Sequence, residues 1–246
     1  MTSSTTTQDW AAHARALQQG LGTDVPPIAI TFHAAVPGGL DRFDDPMPPP
    51  TSDGRTGRAS AGCVFWMKST SRTFTTVPED HGNCSVGSLT HGMKTLDEVA
   101  GNADVAALVE CNWVTIEVVP QIPVVSSKPA AVTYGPLADT PHDPDVVMLR
   151  VTGRQLMVLH DAFPELRIEG KPQCHIIAIA KEQGAVAASV GCQLSRVRTG
   201  MANNEMTCAV PAARVADLAA RLAATASADN AVAAYAAEDA RRFPPV

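Results

Sequence analysis

Short β-branched runs alternate with segments of helical period along most of this chain, and that alternation limits the fold more than any other feature. Ile28-Ala29-Ile30-Thr31-Phe32, after Pro26-Pro27, reads as a strand. Trp113–Val119 alternates, with Val114, Ile116 and Val118 on one face. Ala130–Tyr134, Val146–Val151, Ile176–Ala180, Ala185–Val190 (with Gly184 as the turn before it) and Met206–Val210 are further strand candidates. Between them lie helical patterns. Thr6-Thr7-Gln8-Asp9 fits a capping box ahead of Trp10, Ala14, Leu17 and Leu21, and Gly20 and Gly22 end that helix. Thr95–Leu108 reads as helical. Thr152-Gly153-Arg154-Gln155 is a second capping box, opening a helix through Ala162 with Leu156 and Leu159 inward. Pro211 opens a long Ala-rich helix with a Val215, Leu218, Leu222 stripe, and Asp229–Phe243 reads as a further helix. The pattern predicts an α/β or α+β fold: a single mixed domain with a central sheet and Ala-rich C-terminal helices.

The boundaries expected are a domain over 8–226 and a helical extension over 227–246. Residues 36–60 are rich in Pro, Gly, Asp, Arg and Ser, and read as a long loop or flap. Val64-Phe65-Trp66-Met67 is apolar and expected to be buried.

A chain of 246 residues buries a core without staples. Its net charge of -6, with Lys and Arg scattered, argues against a nucleic-acid partner. No apolar run approaches the ~20 residues of a membrane span. Met1–Gln8 is polar and lacks the basic and apolar parts of a secretory signal, so the expected setting is cytoplasmic, with reduced thiols. No G-x-G-x-x-G follows a strand and no Walker-type loop is present, so no nucleotide cofactor is expected.

The six cysteines, Cys63, Cys84, Cys111, Cys174, Cys192 and Cys208, stand at least sixteen residues apart. Cys84 and Cys192 lie in glycine-rich contexts, His81-Gly82-Asn83-Cys84-Ser85-Val86-Gly87 and Val190-Gly191-Cys192-Gln193-Leu194-Ser195-Arg196. Such settings suit a reactive or metal-binding thiolate better than a packed one.

Over about Trp10 to Leu222 the chain resembles the domain of unknown function 169 family. The resemblance begins with Gly20-Leu21-Gly22 ahead of Pro26-Pro27-Ile28-Ala29-Ile30. It continues through Cys63-Val64-Phe65-Trp66-Met67-Lys68, His81 with Cys84 and Gly87, and Pro144-Asp145-Val146-Val147 with the helix around Gln155. It ends with Cys174, Gly191-Cys192, Arg196, Glu205-Met206 and Pro211. The family name implies no activity, but the resemblance sorts the cysteines. Cys63, Cys84, Cys174 and Cys192 fall at matching positions; Cys111 and Cys208 do not, and are expected in the core. The chain departs from the pattern in a longer 36–60 segment and in Ser85-Val86, where a Pro-Gly-like turn is expected.

Three chemistries stay open. Cys63, Cys84, Cys174 and Cys192 would hold zinc or an iron–sulfur cluster, with His81 as a supplementary ligand. Their spacing lacks the close ligand pairs of common zinc sites. Alternatively, Cys192 or Cys84 is a metal-free nucleophile. His81 or His91 is then the base, Arg196 holds an anionic group, and Glu205 is a general acid or base. In the third reading the cysteines only pack, in a binding protein or a subunit of a hetero-oligomeric enzyme. The Ala-rich C-terminal helices suit a homo- or hetero-oligomer contact. The first reading, a metal- or iron–sulfur-dependent hydrolysis or elimination on a small molecule, is the preferred expectation. His160, His175, the Asp139, Asp143, Asp145 loop and the methionines are expected to have no ligand role.

Overall fold

The computed structural model describes residues 8–44, 63–82 and 84–243. Seven strands form one mixed sheet: β1 (Ile28–His33), β2 (Phe74–Thr76), β3 (Ala131–Pro136), β4 (Val146–Thr152), β5 (Arg167–Glu169), β6 (Ala187–Ser189) and β7 (Glu205–Pro211). Their order is β2-β3-β1-β4-β7-β6-β5. All neighbours run antiparallel except β5 and β6, which are parallel. No helix among the described residues is long and apolar enough to cross a membrane.

Helices cover both faces. On one lie α1 (Trp10–Leu21), α6 (Gly153–Ala162) and α9 (Val215–Arg242). Their stripes, among them Leu17, Leu159 and Leu218, pack on Ala29, Val147, Leu149, Val151, Cys208 and Val210. On the other lie α2 (Cys63–Lys68), α3 (Ser85–Thr90) and α7 (His175–Gln183). Phe65, Trp66, Ile176 and Ile179 pack there on Ile28, Ile30, Val132, Tyr134, Val146, Met148 and Ala209. Successive residues of β4 and β7 thus serve opposite cores, as the period of two requires. It also explains why these strands read as nearly unbroken apolar runs: both sides are buried. Two short helices, α4 (Leu96–Ala100) and α5 (Ala103–Glu110), sit beyond α3, and α8 (Gln193–Thr199) follows β6.

The second capping box is present in both directions: Thr152 Oγ1 accepts from Gln155 N, and Gln155 Oε1 accepts from Thr152 N at 2.8 Å. Thr152→Ala is expected to cost about 1 kcal/mol of stability in denaturant unfolding. An unchanged midpoint would show that packing alone fixes this helix start.

Several expectations change. Asp9 is the N-cap of α1, accepting from Ala12 N at 2.8 Å; Thr6 and Thr7 lie outside the described residues. Gly22, at φ +59, ends α1, while Gly20 lies within it, where a Cβ would sit 2.8 Å from Leu222 Cβ. Ile176–Ala180 is helical, not extended, and every residue of it is buried. A short apolar run carries no period when both strand and helix would bury all of it. Residues 113–119 form turns instead of a strand, leaving Ile116 66% and Val118 45% exposed. Thr95–Leu108 divides into α4 and α5 at Gly101-Asn102. The two C-terminal helices are one, α9, continuous from Val215 to Arg242 and preceded by a single 3-10 turn. Residues 45–60 of the expected loop lie outside the described residues; ahead of them, Phe43 is fully buried beside Phe65.

Candidate functional site

Each of the four cysteines singled out by the resemblance stands where a helix begins. Cys63 is the first residue of α2, and Cys84, Cys174 and Cys192 are the N-caps of α3, α7 and α8. Up to 129 residues apart in sequence (192 − 63), all four line one cavity of about 30 Å³, with Val86, Trp113, Gln173 and Ser195. Cys174 is buried, the other three are partly exposed, and none of the six cysteines forms a disulfide. The remaining two lie elsewhere: Cys208 is buried on the opposite face of the sheet. Cys111, expected in the core, is exposed at the end of α5. It caps a short helix whose buried residues are Asp104 and Leu108, so nothing covers its own side.

Local structure fixes Cys84 and Cys192. Ser85 donates from its main chain (3.0 Å) and hydroxyl (2.6 Å) to Asp104, and Asn102 Nδ2 donates to Ser85 Oγ, which ties the start of α3 to α5. Gly191, before Cys192, holds φ +111, a region that favours glycine. A Cβ there would lie 2.4 Å from Arg196 Nη1. Arg196 Nη2 donates to the carbonyls of Val190, Asn203 and Glu205 at 3.2, 3.2 and 3.0 Å. Its guanidinium therefore ties the Cys192 loop to the start of β7.

Burial pushes the Cys63 thiol up to about 12, with repulsion from Cys84 and Cys192 adding to it and Ser195 opposing it. Burial likewise raises Cys174 well above the usual thiol range, and Cys84, Cys192 and Cys63 all add to the shift. The thiols thus feel one another across the cavity, and without a cation Cys63 and Cys174 stay protonated at neutral pH. Among the described residues, no three His, Cys, Asp or Glu side chains are arranged to hold a metal ion.

His81 does not line this cavity. It ends the turn Pro78–His81, fully buried, with its ring 4.8 Å from Phe65 and 5.7 Å from His91. Thr76 Oγ1 donates to Val132 O, so His81 Nε2 donates to Thr76 Oγ1 at 3.0 Å, leaving Nδ1 without a partner. His91 Nδ1 donates to Gly87 O at 2.9 Å, and its Nε2 is also unpartnered. Burial, the larger cause, and the neighbouring imidazole hold His81 well below its usual range. Burial brings His91 down to about 4.

Glu205 forms a two-point ion pair with Arg150, Nε to Oε1 at 2.6 Å and Nη2 to Oε2 at 2.8 Å. Both line a second small cavity of about 10 Å³, which shares Cys63, Gln173 and Ser195 with the first. Trp66 Nε1, both Gln173 amide atoms and Thr207 Oγ1 line it without a protein partner. That is polar enough, and about large enough, for one water. Sequence reasoning passed over Gln173, Thr207 and Asp104, which belong to no motif, and read Trp66 only as a buried apolar residue. Thr207 alone carries a signal: on β7 it must face opposite to Cys208.

The DUF169 family model, described as Uncharacterised ArCR, COG2043, matches residues 16–221, a stretch containing all four cavity cysteines. No curated protein and no solved structure matches the chain.

Proposed function

We propose that this chain, which belongs to the DUF169 family, is a thiolate metalloprotein in which Cys63, Cys84, Cys174 and Cys192 hold an iron–sulfur cluster or zinc. The centre serves hydrolysis or elimination on a small molecule. One observation carries the reading: four cysteines from four dispersed segments line a single cavity. The raised thiol pKa values of Cys63 and Cys174 support it, because a bound cation relieves both causes, the burial of charge and the repulsion between sulfurs. Zinc at ~2.3 Å from each sulfur would draw its ligands to within about 4 Å of one another. When bound, the metal centre would supply Lewis-acid chemistry. The chain's own part is to hold the sulfurs through the α3–α5 tie and the Arg196 staple.

The test is iron and acid-labile sulfide content, with a visible spectrum, on protein purified without oxygen. Stoichiometric iron and sulfide, or stoichiometric zinc, is expected, lost in Cys63→Ser and Cys192→Ser and retained in Cys208→Ser, whose sulfur lies across the sheet. Stoichiometric zinc would replace the cluster with a single ion. A colourless, metal-free protein with one fast-reacting thiol would establish the nucleophile instead, and inert thiols would leave a binding or subunit role.

A further inference from the structure

A groove of about 500 Å³ opens between the end of α3 and residues 119–129. That volume falls within the range of small-molecule sites. Its lining mixes apolar side chains, among them Leu89, Met93, Leu96, Ile122 and Val125, with polar ones, and its charged residues are Lys94, Lys128 and Glu98, the last close enough to both lysines to feel their charge. Glu98 Oε2 is occupied in capping α4, accepting from Thr95 N at 2.7 Å and Thr95 Oγ1 at 2.9 Å. Two lysines less one glutamate leave a charge of +1 on the groove.

The backbone holds this shape closely. Lys128 keeps φ +45, a conformation that side chains other than glycine rarely adopt. Gly92, at φ +69, admits the Val125 carbonyl so closely that a Cβ would lie 2.2 Å from its oxygen. Val125 N donates back to Thr90 O at 3.0 Å.

Shared lining residues relate the groove to the cysteine cavity. A third cavity of about 20 Å³ shares Leu89, Leu96, Val119 and Ile122 with the groove, and Val86 and Trp113 with the cysteine cavity. Helix α3 joins the two regions, with Cys84 at its N-cap and Leu89 near its end. Six helical residues span about 9 Å, so the two regions lie about that far apart along α3.

We infer that the groove binds a small monoanionic carboxylate with an apolar body, its charge at Lys94 and Lys128 and its apolar end directed along α3 toward the cysteine cavity. That this molecule is the substrate of the thiol centre rests on the reading above; the binding itself does not.

The probes are octanoate, 1-octanol and octyl phosphate, titrated calorimetrically into the full chain as purified without oxygen. Saturable one-to-one binding of octanoate is expected, tighter than that of octanol or of the dianionic octyl phosphate. The Lys94→Gln/Lys128→Gln double variant should bind octanoate about tenfold more weakly, as two exposed charge contacts of ordinary strength require. Both lysines are on the surface loops of the groove, so the variant should keep the parent's unfolding midpoint. Equal affinity for octanol and octanoate, or unchanged octanoate binding in the double variant, overturns the inference. So does tighter binding of octyl phosphate, which would assign the groove to a dianion. Iron, sulfide and zinc are measured on the same samples. Metal-free protein that still selects octanoate upholds the groove and removes the metal centre, whereas metal-loaded protein without octanoate binding removes the groove and upholds the metal centre.

Discussion

Taking the protein from pH 7 to about pH 4 is expected to remove roughly 3 kcal/mol of stability through His91 alone. Burial holds the folded His91 at about 4, against an ordinary value near 6.5. Above pH 6.5 the imidazole is neutral in both states and adds no pH dependence. Between 6.5 and about 4 the unfolded chain takes up a proton that the folded chain refuses, so stability falls as the pH falls. His81, depressed by burial and by its neighbour, acts in the same direction over the same acid range and beyond it. A domain has only about 5–15 kcal/mol in hand, so the loss is a large share of the whole. Carboxylates also contribute to acid unfolding, and the diagnostic measurement is therefore a comparison. His91→Asn retains a side-chain N–H for Gly87 O but does not titrate in this range. Denaturant unfolding at pH 7 and pH 4.5 should show a shallower pH dependence in this variant than in the parent. Equal slopes would mean that His91 is not held neutral by burial.

Phe65→Ala is expected to cost about 3–5 kcal/mol, the range for emptying a buried aromatic site. Phe65 is fully buried and joins four rings, with centroids at 4.9 Å to Phe43, 6.1 Å to Phe74, 4.8 Å to His81 and 5.4 Å to Tyr134. With only 4% aromatic residues, the chain has gathered a large part of its aromatic volume at this point. The ring also anchors α2, the helix that begins with Cys63, so its removal should loosen a wall of the cysteine cavity. On the proposed metal-centre reading, folding and site are coupled, and the variant should lose its metal more readily than Val232→Ala, a truncation at a position 64% exposed on α9. The latter should change stability by less than about 0.5 kcal/mol. A Phe65→Ala midpoint equal to that of Val232→Ala would show that the four-ring cluster does not support this face of the sheet.

Much of the architecture was legible because several elements carry their own signals. The α6 capping box, the Trp10–Leu21 stripe and the β-branched runs of β1, β3, β4 and β7 each state their period or their boundary locally. The failures are equally specific. Ile176–Ala180 is apolar at every position because α7 lies against the sheet with its whole early stretch covered, and such a run contains no period to read. Residues 113–119 alternate, but Ile116 and Val118 face solvent, so the alternation marks no buried face. At the candidate site, the glycine contexts picked out Cys84 and Cys192, and the family resemblance added Cys63 and Cys174. Arg196 and Glu205 were read as chemical groups, yet one holds three main-chain carbonyls and the other holds Arg150.

The sequence by itself determined a mixed α/β domain and the identity of the cysteines worth following, because side-chain period, caps and glycine contexts act over a few residues. Only the tertiary structure decided that those cysteines meet. Their meeting depends on four helix starts being brought to one face of a sheet whose central strands come from distant parts of the chain. It likewise decided that His81 and His91 are neutral, since their pKa values follow from burial beneath Phe65 and Trp66, and burial is a property of what the rest of the chain packs around a residue.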